Sequence, residues 1–214
     1  HNAAMKIQFP NIAIVGTGAM GRGIAQIAAQ AGSQVFLLDA NPGAADAARA
    51  ALQEQWNKLV TKGRIEADQA TALTARLHPV TTVAELAACD LVLEAIVERL
   101  DAKQALFVEL EGVVRADAVL ATNTSSLSVT AIGASLKHPE RLAGFHFFNP
   151  VPLMKVVEVI AGLKTDPSIC TALAAYAKAM GHTPVQAQDT PGFIVNHAGR
   201  GFGGVDVDAV DLGV

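Results

Sequence analysis

The stretch Ile12–Gln26, IAIVGTGAMGRGIAQ, changes character twice in a short span, and those changes decide the fold. Ile12 to Val15 is a short apolar run that reads as a buried strand. It ends in a loop with Gly16, Gly18 and Gly21 in GxGxxG spacing. An alanine-rich, helix-favouring segment then runs from Ala19 to Ala31, and Gly32 stands where a helix C-terminus wants glycine. QVFLLD, residues 34–39, is a second apolar strand. A strand, helix and strand of this length make up the unit that a parallel crossover needs.

The same alternation continues downstream. Pro42-Gly43 breaks the chain before a helical stretch from Ala44 to about Lys62, and a second helix is expected from Ala67 to Leu77. LVLEAI, residues 91–96, reads as a strand, and Lys103 to Val114 as a helix. AVLATN is a further strand leading into the polar turn TNTSS. RLAGFHFF and VVEVI are the last two strand candidates, separated by Pro150 and Pro152. Ser168 to Met180 is helical, capped near Asp166 and closed by Gly181. Most of the strands are apolar throughout, which predicts an α/β fold with a doubly wound, largely parallel Rossmann-type sheet covered on both faces.

In such a sheet each glycine of the loop has a task. Gly16 permits the tight turn, Gly18 lets the backbone approach a pyrophosphate, and Gly21 allows close helix–strand packing. The helix beginning there points free N–H groups and a positive dipole end at the phosphates. Asp39, at the end of the second strand, is placed to accept hydrogen bonds from ribose hydroxyls and to repel a 2′-phosphate. NAD is therefore expected over NADP. A plain turn residue ahead of Asn41-Pro42 is the alternative for Asp39.

GFHFFNPVPLMKVVEV, residues 144–159, sets one histidine among phenylalanines with a glutamate further along. Histidine titrates near neutrality, so it suits a base that takes and returns a proton. A carboxylate on its second ring nitrogen fixes the tautomer and stabilises the imidazolium. His146 and Glu158 lie on two candidate strands joined by a proline-rich turn, so the fold can bring them together; a buried core histidine is the other reading. A charge inside KVVEVI needs a partner or a purpose.

GFHFFNPVPLMKVVEV, NTSSL, EAIVERLDAK and DTPGFIVN, together and in this order behind the glycine loop, resemble the 3-hydroxyacyl-CoA dehydrogenase family. The similarity is to the family's NAD-binding part, from about Lys6 to Arg200. It implies an NAD-dependent enzyme that reversibly oxidises an L-3-hydroxyacyl-CoA to the 3-ketoacyl-CoA, as in fatty-acid β-oxidation. Carried over, His146 is the general base, Glu158 its orienting carboxylate, and Ser125 a hydrogen-bond partner of the substrate oxygen. Asn196 helps to hold that oxygen and the base. Glu98, Lys103 and Asn149 contact the cofactor's ribose and nicotinamide side, and Met20 and Asn123 are grouped with the cofactor contacts. Lys62 matches a weaker position that meets the CoA nucleotide. Helix capping for Ser125 and the end of a strand or helix, without substrate contact, for Asn196 are the bland alternatives. A hydroxy-acid or sugar-acid dehydrogenase, or a non-catalytic NAD-binding protein, would share much of the pattern.

The family's helical second domain follows PGFIVN, and the Gly- and Asp-rich tail does not read as its first helix. Residues 6–198 are thus expected to form the NAD-binding domain, with 199–214 a remnant or the start of the second domain. HNAA before Met5 reads as a tag remnant, so residues 1–5 are set aside. That second domain builds much of the family's subunit interface, so a homodimer is expected of the full-length protein.

Composition narrows the remaining classes. With 51% hydrophobic and 17% charged residues the chain has the makings of a large core. A net charge of -4 offers no general attraction to nucleic acid or anionic membrane. No apolar run approaches a membrane span, and the N-terminus lacks the form of a signal peptide. Cys89 and Cys170 have no CxxC or histidine pairing, so no metal site or disulfide framework is expected. A reducing, cytoplasmic setting follows as the simpler expectation.

Overall fold

A computed structural model describes residues 7–189. Eight strands form one sheet: β1 Asn11–Val15, β2 Gln34–Leu38, β3 Leu77–Pro79, β4 Leu91–Glu94, β5 Val119–Thr122, β6 Leu142–Phe147, β7 Val156–Ala161 and β8 Thr183–Gln188. Their order is β3-β2-β1-β4-β5-β6-β7-β8. The first six are parallel, and the order in which strands are added reverses between β1 and β4, the switch point at which doubly wound sheets open a crevice. β7 runs antiparallel to β6 because the turn at 148–155 is too short for a crossover helix. β8 lies parallel to β7 and forms the outer edge.

Strand alternation divides the core into two layers. Ile12, Ile14, Leu91, Leu93, Ala121, Phe145 and Val159 pack on one face, with Ile24, Trp56, Leu73 and Tyr176. These last four come from α1 Ala19–Gln30, α2 Ala44–Thr61, α3 Ala67–Ala75 and α6 Pro167–Ala179. Ala13, Val15, Val92, Leu120 and Leu142 face the other way, against Phe107 and Leu110 of α4 Leu100–Glu111 and Ile132 of α5 Val129–Gly133. Burying each large apolar side chain contributes about 1.5–3 kcal/mol against the entropy of ordering the chain. The second face carries polar residues at one end. Along it the apolar alternation gives way, at the strands' C-terminal ends, to Glu94, Thr122 and His146.

The expected elements are present with four differences. α4 begins at Leu100 rather than Lys103, its first turn carrying Asp101 at the positive end of the helix dipole. α3 stops at Ala75, and Leu77 opens β3, whose three residues give too little alternation to read. β8 was not foreseen because TPVQAQ is an edge strand, largely exposed and interrupted by Pro184. α5, only five residues long, lies below the length at which periodicity is visible. The expected boundary between residues 198 and 199, the tail 199–214 and the N-terminal residues 1–5 lie outside the described residues.

Candidate active site

The glycine loop has the conformation its spacing predicts. Gly16 sits at φ 101°, and a Cβ there would meet the Ala95 carbonyl oxygen at 2.4 Å. A Cβ on Gly21 would lie 1.8 Å from the Gly16 oxygen, so α1 can begin this close to β1 only without one. Gly18 differs: nothing lies within 4 Å of its missing Cβ, which leaves open space where a phosphate would approach. The first turn of α1 has neither a side-chain cap nor an acidic residue, so its N–H groups remain available to an anion.

Asp39 follows β2 beside that loop. Its Oδ2 accepts from the Thr17 N–H and hydroxyl, each at 2.8 Å, and its Oδ1 from the Asn41 N–H at 2.9 Å. Burial works to raise the Asp39 pKa, but the hydrogen bonds from Asn41 and Thr17 outweigh it and hold the group below the usual carboxylate range. A fixed negative charge thus stands at the end of β2.

A cleft of about 320 Å³ opens beyond the C-terminal ends of β4, β5 and β6. Met20, Glu98, Lys103, Asn123, Ser125, His146 and Asn149 all line it, so the fold gathers residues from five separate segments. His146 and Glu158 are partners in the β6–β7 register, and Nδ1 lies 2.8 Å from the Glu158 Oε1. A carboxylate only accepts, so Nδ1 carries the hydrogen and Nε2 keeps its lone pair. Among the described residues Nε2 has no hydrogen-bond partner. The Phe148 ring lies 4.6 Å from the imidazole, centroid to centroid. Phe145 and Phe147, in contrast, point to the other face and are core residues.

Glu98 organises the opposite wall. Its carboxylate accepts from the Ser125 N–H at 3.0 Å, from the Ser125 and Ser126 hydroxyls at 3.2 Å, and from the Thr124 hydroxyl at 2.9 Å. The Lys103 ammonium is 3.2 Å away. Burial would raise the Glu98 pKa; the Ser125 N–H, the Lys103 charge and the Thr124 hydroxyl outweigh it and lower the value. Asn123 takes the Phe147 N–H on Oδ1 at 2.8 Å, which directs its amide hydrogens elsewhere.

Two expected residues stand apart from this assembly. Lys62 caps the C-terminus of α2, exposed and away from the cleft lining. Asn196 lies outside the described residues. Two residues went unsuspected. Glu94 is fully buried beneath the cleft, its sequence signal being a carboxylate at the end of the apolar run LVLE. Asp189 receives the Val129 and Thr130 N–H groups and the Ser128 and Thr130 hydroxyls, locking the end of β8 to the start of α5.

A strand-order switch point, an uncapped helix end behind GxGxxG, and an acidic residue closing β2 define a dinucleotide-binding domain of the dehydrogenase type. The family model described as 3-hydroxyacyl-CoA dehydrogenase, NAD binding domain, matches residues 11–190, and the chain belongs to that family. It is 45% identical over 198 residues to a 3-hydroxyadipyl-CoA dehydrogenase of Escherichia coli strain K12, covering 92% of this chain and 42% of that one. It is 40% identical to a 3-hydroxybutyryl-CoA dehydrogenase of Clostridioides difficile, covering 86% of this chain and 66% of the relative. A crystal structure of 3-hydroxybutyryl-CoA dehydrogenase from Escherichia coli K12 superposes with a TM-score of 0.84 at 45% identity, over 90% of this chain and 41% of that one. The chain therefore spans less than two thirds of the length of these relatives.

Proposed function

We propose that this chain supplies the NAD-binding and proton-handling part of an L-3-hydroxyacyl-CoA dehydrogenase, which interconverts a 3-hydroxyacyl-CoA and its 3-keto form. The observation that carries the proposal is the His146–Glu158 pair, 2.8 Å apart and opening on the cleft that begins at the glycine loop. Bound NAD supplies the two-electron acceptor. His146 Nε2 takes the proton of the 3-hydroxyl, and Glu158 stabilises the imidazolium that results. Ser125 exchanges its long bond to Glu98 for one to the substrate oxygen, while its N–H keeps the turn in place. Asn196 completes the hold on that oxygen.

Asp39 holds the adenosine ribose, and Gly16, Gly18, Met20 and Gly21 the pyrophosphate end. Glu98, Lys103, Asn123 and Asn149 line the nicotinamide side, and Lys62 meets the CoA nucleotide. The names of the two relatives support a short-chain acyl thioester as substrate. Buried, unpaired Cys89 and Cys170 support a reducing, cytoplasmic setting, and a homodimeric assembly belongs to the same reading by family resemblance.

The test is NADH formation with 3-hydroxybutyryl-CoA, 3-hydroxyadipyl-CoA and free 3-hydroxybutyrate. Turnover confined to the thioesters is expected. Equal turnover of the free acid would move the protein to the hydroxy-acid dehydrogenases.

A further inference from the structure

Glu94 and Lys103 are 0% and 1% exposed, in a place where desolvating ions is costly. Their charged groups are in direct contact, and Lys103 Nζ also reaches Glu98 Oε1 at 3.2 Å and the Ile96 carbonyl at 3.4 Å. Glu94 is otherwise satisfied by the Thr122 hydroxyl at 2.5 Å and the Ile96 N–H at 2.8 Å. Two carboxylates therefore share one ammonium, and the outer carboxylate holds the Ser125 turn. Apolar residues would fill such a buried position at less cost. Glu94 does not itself line the cleft and has no hydrogen bond to His146; it touches the lining residues Lys103 and Ile96 from beneath, so its influence passes through Lys103 to Glu98.

We propose that Glu94 is a positioning and charge-setting residue. It fixes the Lys103 ammonium beneath Glu98, and it leaves the assembly with one net negative charge beside the end of the cleft that receives the nicotinamide. The inference rests on the NAD reading above. Oxidised nicotinamide is a cation and reduced nicotinamide is neutral, so a net negative charge there binds NAD+ better relative to NADH than a neutral site would.

The experiment measures the dissociation constants of NAD+ and NADH for the full chain and three variants, with thermal melting to confirm folding. Glu94→Gln keeps the shape and an acceptor for Thr122 but removes the charge. Its NAD+ affinity relative to NADH is expected to fall about three- to tenfold, the scale of one nearby charge in a partly water-excluded site. Glu94→Asp keeps the charge, so that ratio stays near the wild-type value even if both affinities drop. Lys103→Gln deletes the positive charge and raises the ratio, which supplies a reading with the opposite sign should Glu94→Gln fail to fold.

A Glu94→Gln ratio within about twofold of wild type overturns the role given to Glu94, as does a shift in the same direction for both charge variants. Wild-type protein that takes up neither form of the cofactor overturns the NAD reading itself, so the two failures are distinguishable.

Discussion

His146 and Glu158 stand directly opposite one another in the antiparallel β6–β7 ladder, and their side chains meet at 2.8 Å on the face that carries the cleft. The strand register places them, so the imidazole is oriented before any ligand arrives. Replacing His146 by Gln removes the basic lone pair while keeping much of the volume. It is expected to lower kcat by about 10²- to 10⁴-fold, the usual contribution of a positioned base. NADH affinity is expected to stay near wild type, because the phosphate and ribose contacts proposed for the glycine loop and Asp39 lie elsewhere. Glu158→Gln acts through the tautomer and is expected to lower kcat by less. Steady-state kinetics beside NADH titrations check both, and full turnover by His146→Gln would take that residue out of the reaction.

How much of this was legible in the sequence follows from the range of the forces involved. The glycine loop could be read because Gly16 and Gly21 answer local steric demands that no other residue meets. His146 and Glu158 could be suspected, since a lone charge in an apolar strand needs a partner, yet their register depends on a turn whose geometry the sequence leaves open. The role of Glu98 was less visible: it grips the Ser125 turn across 27 positions of sequence. Glu94 was hidden because one carboxylate closing an apolar run looks like an ordinary strand end. β8 escaped because an edge strand has little burial to impose a pattern.

Asp39 supplies a fixed negative charge where an adenosine ribose would lie. Asp39→Ala removes charge-assisted hydrogen bonds worth about 1.5–3 kcal/mol each when well formed, so NADH should bind at least about tenfold more weakly. NADPH, no longer repelled at its 2′-phosphate, is expected to lose much less or to gain. Fluorescence titration with the two reduced cofactors gives the selectivity directly. An unchanged NADH-to-NADPH preference would place the discrimination elsewhere.

Glu98 links the site to pH. Its folded pKa lies below the ordinary glutamate value, so its ionised form contributes stability that is fully present above the unfolded pKa. That contribution is lost as pH falls from about 4.3 down through the lower folded value. Between neutrality and about pH 5 the Glu98 share of stability should therefore be flat. Below that, wild-type melting temperature should fall more steeply than that of Glu98→Gln, which has no carboxylate to protonate there. Parallel acid limbs for the two proteins would show that the lowered pKa carries no stability.

Asp189 permits a sharper separation of charge from shape. One carboxylate oxygen takes the Val129 N–H at 2.7 Å, and the other takes the Thr130 N–H at 3.0 Å and the Ser128 hydroxyl at 3.1 Å. Both oxygens are thus committed as acceptors at the start of α5, close in sequence to the serine turn of the cleft. Asp189→Ala strands those donors and is expected to cost about 2–4 kcal/mol of unfolding free energy. Asp189→Asn keeps the volume but turns one acceptor into an NH2 group, which then faces other donors. If hydrogen bonding governs the position, Asn should be nearly as damaging as Ala in denaturant titrations. A position held by packing alone would instead leave Asp189→Asn close to wild type. Because Ser125 lies three residues ahead of Ser128, the same variants should also weaken substrate binding more than NADH binding, and a rise in KM without loss of NADH affinity is the kinetic sign to look for.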